Sequence, residues 1–354
     1  MSASPFDHPI LSGLLGDEEV SACLSAEADI AAMLDFERAL ARAEGEEGVI
    51  PKDAATAIDA ALASAAIDVA RLREGVARDG VVVPALVAEM KRAVGEPHSK
   101  QVHFGATSQD VIDTGLSLRL RRVLEILAGR MDVVVTRLEE LERRHGGVET
   151  MAHTRMQAAI PVPAARKIRS WREPIERHRA RLSAIEEEVL VLHFGGAAGT
   201  LEKLGERAGA VTQNLAGQLG LRALPHARHS ERDGQAELAS WLSLVTGSLG
   251  KMGQDIALMA QTEVGEVKLS SGGGSSAMPH KVNPVGAEIL VTLARFNATL
   301  LSGMHQSLVH ENERSGAAWT LEWMLLPQMA VAAGTALHTA DALLASISFV
   351  ESAE

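Results

Sequence analysis

A strict heptad repeat of apolar residues lies in the second half of the chain. From Leu238 to Met259 the apolar positions advance by alternating steps of four and three without a break. An earlier stripe, from Leu116 to Leu141, follows nearly the same spacing. Such repeats are typical of helices that pack lengthwise against other long helices. Because each residue of a helix adds 1.5 Å, residues 111–141 alone would extend about 46 Å. The sequence therefore predicts a bundle of long helices.

Composition limits the partners of such a bundle. The chain has 354 residues, a formal net charge of −12, 3% aromatic residues and no Tyr. Few aromatic rings and a negative net charge argue against nucleic-acid and membrane-surface partners. The single cysteine, Cys23, cannot form an internal disulfide, and neither a signal peptide nor a run of about 18 apolar residues is visible. We expect a cytoplasmic protein with no membrane partner.

Three breaks in the helical pattern divide the chain. They cover residues 99–115, 146–163 and 270–284, where Gly, Pro, Ser and Thr interrupt the apolar spacing. Shorter helical segments fill the region before the first break. We expect a small N-terminal helical domain over residues 1–98 and a central long-helix bundle domain over residues 99–354.

The third break reads SSGGGSSAMPHKVNP and is unlike its surroundings. Three glycines give the backbone unusual freedom, and Pro284 is suited to the start of a new helix. One interpretation is a flexible linker. The other is a mobile catalytic loop in which a serine lies beside the ammonium of Lys281 and the amide of Asn283. The spacing of a phosphate-binding loop is not present.

The first break and the stretch around residues 226–230 also allow two interpretations each. Thr107 and Ser108 come just before Asp110, and such a cluster is first of all a helix N-cap. His226 and His229 could suggest a metal site, but the sequence shows no further ligands nearby, and Ser230 capping a helix explains them better. The sequence predicts neither a metal nor a cofactor.

Residues 274–284, GSSAMPHKVNP, match every fixed position of a signature of the fumarase/aspartase superfamily, Gly-Ser-Ser-x-Met-Pro-x-Lys-x-Asn-Pro. The sequence is identified as a member of that superfamily. Its Ala-Met-Pro-His-Lys string resembles the branch that holds adenylosuccinate lyase and the bacterial 3-carboxy-cis,cis-muconate cycloisomerases. The resemblance implies an all-α fold with a fumarase/aspartase-like long-helix bundle and a small N-terminal helical domain. Members usually continue into a C-terminal third domain, which is missing from this sequence.

The resemblance implies roles for particular residues. Ser275 would be the proton-transfer residue, with Lys281 stabilising negative charge and Arg155 as a third catalytic group. Arg155 is a departure, because related lyases carry a catalytic His there, and an arginine binds carboxylates but cannot shuttle protons near neutral pH. The implied substrate-binding residues are His103, Thr107, Ser108, Thr154, Gln157, Ser276, Asn283 and Arg314.

The resemblance also implies a reaction. We expect an intramolecular lyase that interconverts 3-carboxy-cis,cis-muconate and a carboxymuconolactone in the degradation of aromatic compounds through protocatechuate and β-ketoadipate. One alternative is an adenylosuccinate lyase-type β-elimination, and another is a catalytically silent helical scaffold. The partner would be a small polycarboxylate, bound between the subunits of a homotetramer.

Overall fold

The computed structural model describes residues 4–270, 272–274, 278 and 281–351. Within these residues the chain is mostly helical, with little sheet. The α-helices in chain order are α1 (Ser12–Leu15), α2 (Glu18–Cys23), α3 (Ala26–Glu46), α4 (Lys52–Leu62), α5 (Val69–Asp79), α6 (Val83–Val94), α7 (Ser108–His145), α8 (Ala164–Val189), α9 (Ala208–Leu219), α10 (Asp233–Met259), α11 (Val285–Gln306) and α12 (Ala317–Ser346). Short 3-10 helices lie at His98–Gln101 and Glu202–Arg207. The predicted all-α long-helix bundle is confirmed.

The heptad stripes form the core of the bundle. Every apolar heptad position of α10 from Leu238 to Met259 is buried, and so are those of α7 from Leu120 to Leu141. Helix α10 packs against α8, α11 and α12, while α7 packs against α8 and α12. Since each fully buried Leu or Ile side chain contributes about 1.5–3 kcal/mol, this shared seam is the main stabilising feature of the fold.

A second, smaller core lies beside the N-terminal half of α7. Phe36 and Leu40 of α3 pack there with residues of α4 and α6. Residues 190–223 also contribute, because Val211 and Leu215 of α9 lie in the same cluster. The predicted domain boundary at residue 98 stays a prediction, since this core takes in residues from both sides of it.

Short strands position the second and third breaks. Strands β1 (Glu149–Thr154) and β2 (Gln157–Pro163) form an antiparallel hairpin directly after α7. Strands β3 (Val267–Leu269) and β4 (Ile347–Phe349) pair antiparallel, which ties the chain end to the start of the Gly/Ser stretch. The sequence pattern predicts a helix as far as residue 349, and this is wrong for the last three residues. Ser230 is not a cap either, since the residue before α10 is Arg232, which has no side-chain capping bond.

Helix α11 is apolar but largely uncovered. Its length and composition would allow it to cross a membrane, yet those properties are weak grounds because core helices of soluble proteins share them. Only 22% of its most apolar window is buried within this chain. One face, with Leu290 and Leu293, packs into the core, and the opposite face is left without a neighbour in the described chain.

Candidate active site

The residues predicted for the site lie at two opposite ends of the bundle. His103, Thr107 and Ser108 are at the start of α7, and the hairpin that carries Arg155 follows its end. Helix α7 has 38 residues, so about 57 Å separates the two ends. We call them the Thr107 end and the Arg155 end. A small substrate cannot touch both ends of one chain.

At the Thr107 end, the start of α7 is built around a buried carboxylate. Thr107 is the N-cap residue, and its N–H donates to Asp110 Oδ2 at 2.9 Å. The same carboxylate accepts the N–H groups of Gly195 (2.8 Å) and Gly196 (3.0 Å). His229 Nε2 lies 2.8 Å from its other oxygen. The N-cap interpretation is therefore confirmed, and the hydroxyl of the half-buried Ser108 makes no hydrogen bond to another described residue.

Arg314 lies over this helix start. Its Nε donates to Gln109 Oε1 at 3.0 Å, and its Nη2 is 3.4 Å from the carbonyl oxygen of Ala197. Among the described residues it forms no ion pair with a carboxylate. A guanidinium that is held by neutral acceptors keeps its full charge for a ligand, so the Thr107 end can bind an anion.

A buried charge network supports this end, and the sequence patterns did not reveal it. Arg232, which is 2% exposed, donates to Asp113 Oδ2 at 2.7 Å and to Glu322 Oε2 at 2.6 Å. Trp319 Nε1 donates to Asp113 Oδ1 at 2.9 Å. Gln109 joins the network to Arg314, because its Nε2 donates to Asp113 at 3.1 Å while its oxygen accepts from Arg314. Burial raises the pKa of Asp113, but the charge of Arg232 outweighs this effect and holds that pKa below its usual range.

Two histidines lie beside this network. His193 is buried with neither ring nitrogen hydrogen-bonded, and burial lowers its pKa to about 4, against the pull of Asp113. His310 has a side chain that is 1% exposed and lies 3.5 Å from Glu322. Burial, followed by the Arg232 charge, lowers the pKa of His310. Both rings are therefore neutral at neutral pH. Within the described chain, no three His, Cys, Asp or Glu residues are grouped so that they could hold a metal ion.

At the Arg155 end, the hairpin presents its tip to solvent. Thr154 pairs with Gln157, so Arg155 and Met156 form a two-residue turn, with φ angles of 50° and 68°. Such left-handed turns match the twist of a hairpin but normally use Asn and Gly. All four residues are exposed, and Met156 is 72% exposed. Thr154 and Gln157 are thus brought together, and the exposed Arg155 guanidinium forms no ion pair with a described residue.

The Gly/Ser stretch starts at the same end. Gly273 and Asn283 exchange backbone hydrogen bonds of 3.0 and 2.9 Å, which close the base of the loop. A Cβ at Gly272 would lie 2.7 Å from the Asn283 carbonyl oxygen, so this close approach requires glycine. Lys281 is exposed, and its ammonium forms no ion pair with any described residue. Ser275 and Ser276 lie outside the described residues.

A cavity of about 500 Å³ lies between the hairpin, α8 and the end of α10. Thr154, Arg166, Lys167 and Lys251 line it, together with two acidic residues. The acids neutralise two of the cations, since Glu266 lies 3.3 Å from Lys167 and Asp255 pairs with Lys251. Of the predicted site residues that the structure describes, this cavity includes only Thr154.

Comparison with known proteins identifies the family of this chain. Residues 16–298 match the family model described as lyase. The chain is 42% identical to the 3-carboxy-cis,cis-muconate cycloisomerase of Pseudomonas aeruginosa, over 88% of this chain and 69% of that protein. It is 39% identical to the protein of the same name from Bradyrhizobium diazoefficiens, over 93% and 74%. The chain belongs to the fumarase/aspartase superfamily of lyases.

The solved structures agree with this assignment. The crystal structure of the 3-carboxy-cis,cis-muconate lactonizing enzyme from Pseudomonas putida superposes with a TM-score of 0.92 at 37% identity. The match covers 97% of this chain and 78% of that one. The superfamily signatures pointed to residues at both ends, but they did not indicate Asp113, Arg232 and Glu322, whose partners are distant in sequence.

Proposed function

We propose that this chain is a cycloisomerase that interconverts 3-carboxy-cis,cis-muconate and a carboxymuconolactone. The observation that carries the proposal is the 42% identity to a cycloisomerase over 88% of the chain. The cationic groups support it, because Lys281, Arg155 and Arg314 are all without a carboxylate partner among the described residues. Three such groups suit a substrate with three carboxylates. The adenylosuccinate lyase and silent-scaffold alternatives are not favoured by these relatives.

Ring closure needs one new bond and one proton. One carboxylate oxygen of the substrate adds to the conjugated alkene, and the electron pair moves onto the neighbouring carboxylate as an aci-carboxylate. The carbon next to that group then takes a proton, and the lactone forms. Both reacting groups belong to one substrate, so holding the diene folded supplies much of the rate enhancement.

We assign the charge stabilisation to Lys281 and Asn283, and the proton transfer to Ser275. Negative charge builds up on the aci-carboxylate only near the transition state, so donors aimed at it accelerate the reaction selectively. The Gly273–Asn283 bridge holds Asn283 at the base of the loop, while Lys281 extends from it. Arg155 cannot exchange protons, so its role in this proposal is to bind a carboxylate.

The arrangement also leads us to propose a homotetramer whose sites are shared between subunits. The Thr107 end and the Arg155 end of one chain are about 57 Å apart along α7, so a complete site requires both ends from different chains. The exposed hairpin, with Met156 at 72% and Ile160 at 64% exposure, supports such a contact. So does helix α11, of whose most apolar window only 22% is buried within the described chain. A small polycarboxylate would be the partner, and the cytoplasm the location.

Removal of the Lys281 ammonium tests the function. Ring closure removes one alkene of the muconate's conjugated diene, so the loss of the diene's ultraviolet absorbance reports turnover. Lys281→Ala should lower kcat about 100- to 1,000-fold, the effect of removing one well-placed donor. Lys268→Ala is the matched control, since Lys268 is an exposed lysine of β3, the strand directly before the Gly/Ser stretch. A parent protein that leaves the muconate unchanged, or a Lys281→Ala variant as fast as Lys268→Ala, would refute the proposal.

A further inference from the structure

Two buried acids lie on one face of α3. Glu37 and Glu44 are two helical turns apart, and they are only 2% and 1% exposed. Neither carboxylate pairs with a lysine or arginine among the described residues. Glu37 Oε1 is instead 2.5 Å from His103 Nδ1. A carboxylate can only accept a hydrogen bond, so the proton of this bond belongs to His103 Nδ1.

The backbone around His103 is unusual as well. His103 has a φ of 62° and Gly105 a φ of 70°, so two left-handed residues lie in one short turn. For a residue with a Cβ this conformation is unfavourable, and it persists only where the surroundings impose it. The hydrogen bond to Glu37 is the contact that holds the imidazole in this position.

Of the two ring nitrogens of His103, only Nδ1 has a hydrogen-bond partner among the described residues. The His103 side chain is 16% exposed, whereas that of Glu37 is 1% exposed. Because Nδ1 faces the buried Glu37, the exposed edge of the ring carries Nε2. Nε2 has no hydrogen-bond partner in the described part of the chain. His103 is four residues before Thr107, so this open donor is at the Thr107 end.

The groups that surround His103 come from three helices. They are Glu37 of α3, Asp110 of α7 and Lys91 of α6, and Glu44 of α3 interacts electrostatically with Glu37. Burial lowers the pKa of His103, but the charge and hydrogen bond of Glu37, helped by Asp110 and opposed by Lys91, raise it above its usual value. Burial and the neighbouring Glu37 raise the pKa of Glu44 to about 9, so Glu44 is neutral at pH 7.

We propose that Glu37 is a positioning residue, which orients the His103 ring and keeps it doubly protonated so that Nε2 donates to one carboxylate of the substrate. The inference depends on the proposed function for the identity of that anion as a tricarboxylate. In this proposal a residue of the N-terminal helices supports the binding site from behind His103, and Glu37 itself touches no substrate.

Calorimetric titration of the assembled protein with propane-1,2,3-tricarboxylate tests this, because that ligand has three carboxylates but no alkene to react. The parent should bind it well at low pH and lose affinity as the pH rises through the raised pKa of His103. Glu37→Gln keeps the shape and removes the charge, so its affinity should fall at least one pH unit earlier. At about pH 7.5 the variant should bind roughly ten-fold more weakly, the scale of one charge-assisted hydrogen bond.

Two further variants complete the test. Glu44→Gln is the matched control: it replaces the other buried acid of α3, which is already neutral, and it should keep the parental pH dependence. His103→Gln cannot become charged, so its binding should be weak at every pH, and it remains informative if Glu37→Gln does not fold. Identical pH dependence in Glu37→Gln and the parent, or a parent that does not bind the tricarboxylate, would overturn the inference. A parent that binds the tricarboxylate with the expected pH dependence but does not convert the muconate would refute only the proposed function.

Discussion

Replacement of Arg232 by methionine removes the cation that joins two buried carboxylates. Arg232 makes four hydrogen bonds to Asp113 and Glu322. The side chains of all three residues are between 1% and 3% exposed. Methionine fills much of the space of the arginine stem but leaves two buried carboxylates without their counter-charge. Breaking such a buried pair costs about 3–5 kcal/mol.

The assay is equilibrium unfolding in urea, followed by far-ultraviolet circular dichroism. With a denaturant slope of about 3 kcal/mol/M, the expected loss lowers the urea midpoint by about 1–1.7 M. The loss should grow as the pH rises. Without Arg232 the two buried acids have folded-state pKa values above their unfolded values, so they bind protons on folding, and stability decreases towards alkaline pH.

Arg144→Met is the control, because Arg144 is an exposed arginine of α7. Its midpoint should stay within the equivalent of about 0.5 kcal/mol of the parent at every pH. Equal midpoints for the Arg232→Met and Arg144→Met proteins would show that the buried network does not stabilise the fold, and the reasoning would fail.

Two other predictions follow from the same structure. Glu44→Gln should stabilise the protein at pH 8 and flatten the pH dependence of its stability, because burial raises the folded-state pKa of Glu44 to about 9 from an ordinary 4.5. The parent therefore loses stability as the pH rises from about 4.5 to 9. A thermal-unfolding series across this pH range that shows no difference between the two proteins would contradict this prediction. The inactive Arg155→Ala and Arg314→Ala proteins, dissociated together and reassembled, should recover up to about a quarter of the parental activity. Random mixing leaves about one site in four with both arginines, if each site takes them from different chains. Recovery no greater than that of each variant treated alone would contradict sites shared between chains.

The periodic features were predictable because they depend on local spacing. The stripes at residues 116–141 and 238–259 predict buried helix faces, and α7 and α10 bury those positions. The hairpin was not predictable in the same way. Its turn, Arg155-Met156, lacks the Asn-Gly pattern that signals a left-handed turn, and only the pairing of Thr154 with Gln157 reveals it.

The candidate site divides along the same line. Lys281 and Asn283 could be named from a motif within one stretch of sequence, and Arg314 from a separate resemblance to the superfamily. Arg232 could not, because it lies among charged residues before a helix, and its burial depends on Asp113 and Glu322, which are about 120 and 90 residues away. Glu37 similarly fits an ordinary amphipathic helix until His103 is found beside it.

The amino-acid order by itself determined which segments become long helices and where they are interrupted, because helix formation and chain breaks depend on neighbouring residues. Only the tertiary structure decided which interruptions lie together. Helix α7 carries the chain from the Thr107 end to the Arg155 end, and α10 also spans the bundle, so motifs that follow one another in sequence are separated by the length of a helix. Their distance depends on helix length and packing direction, which no single motif encodes.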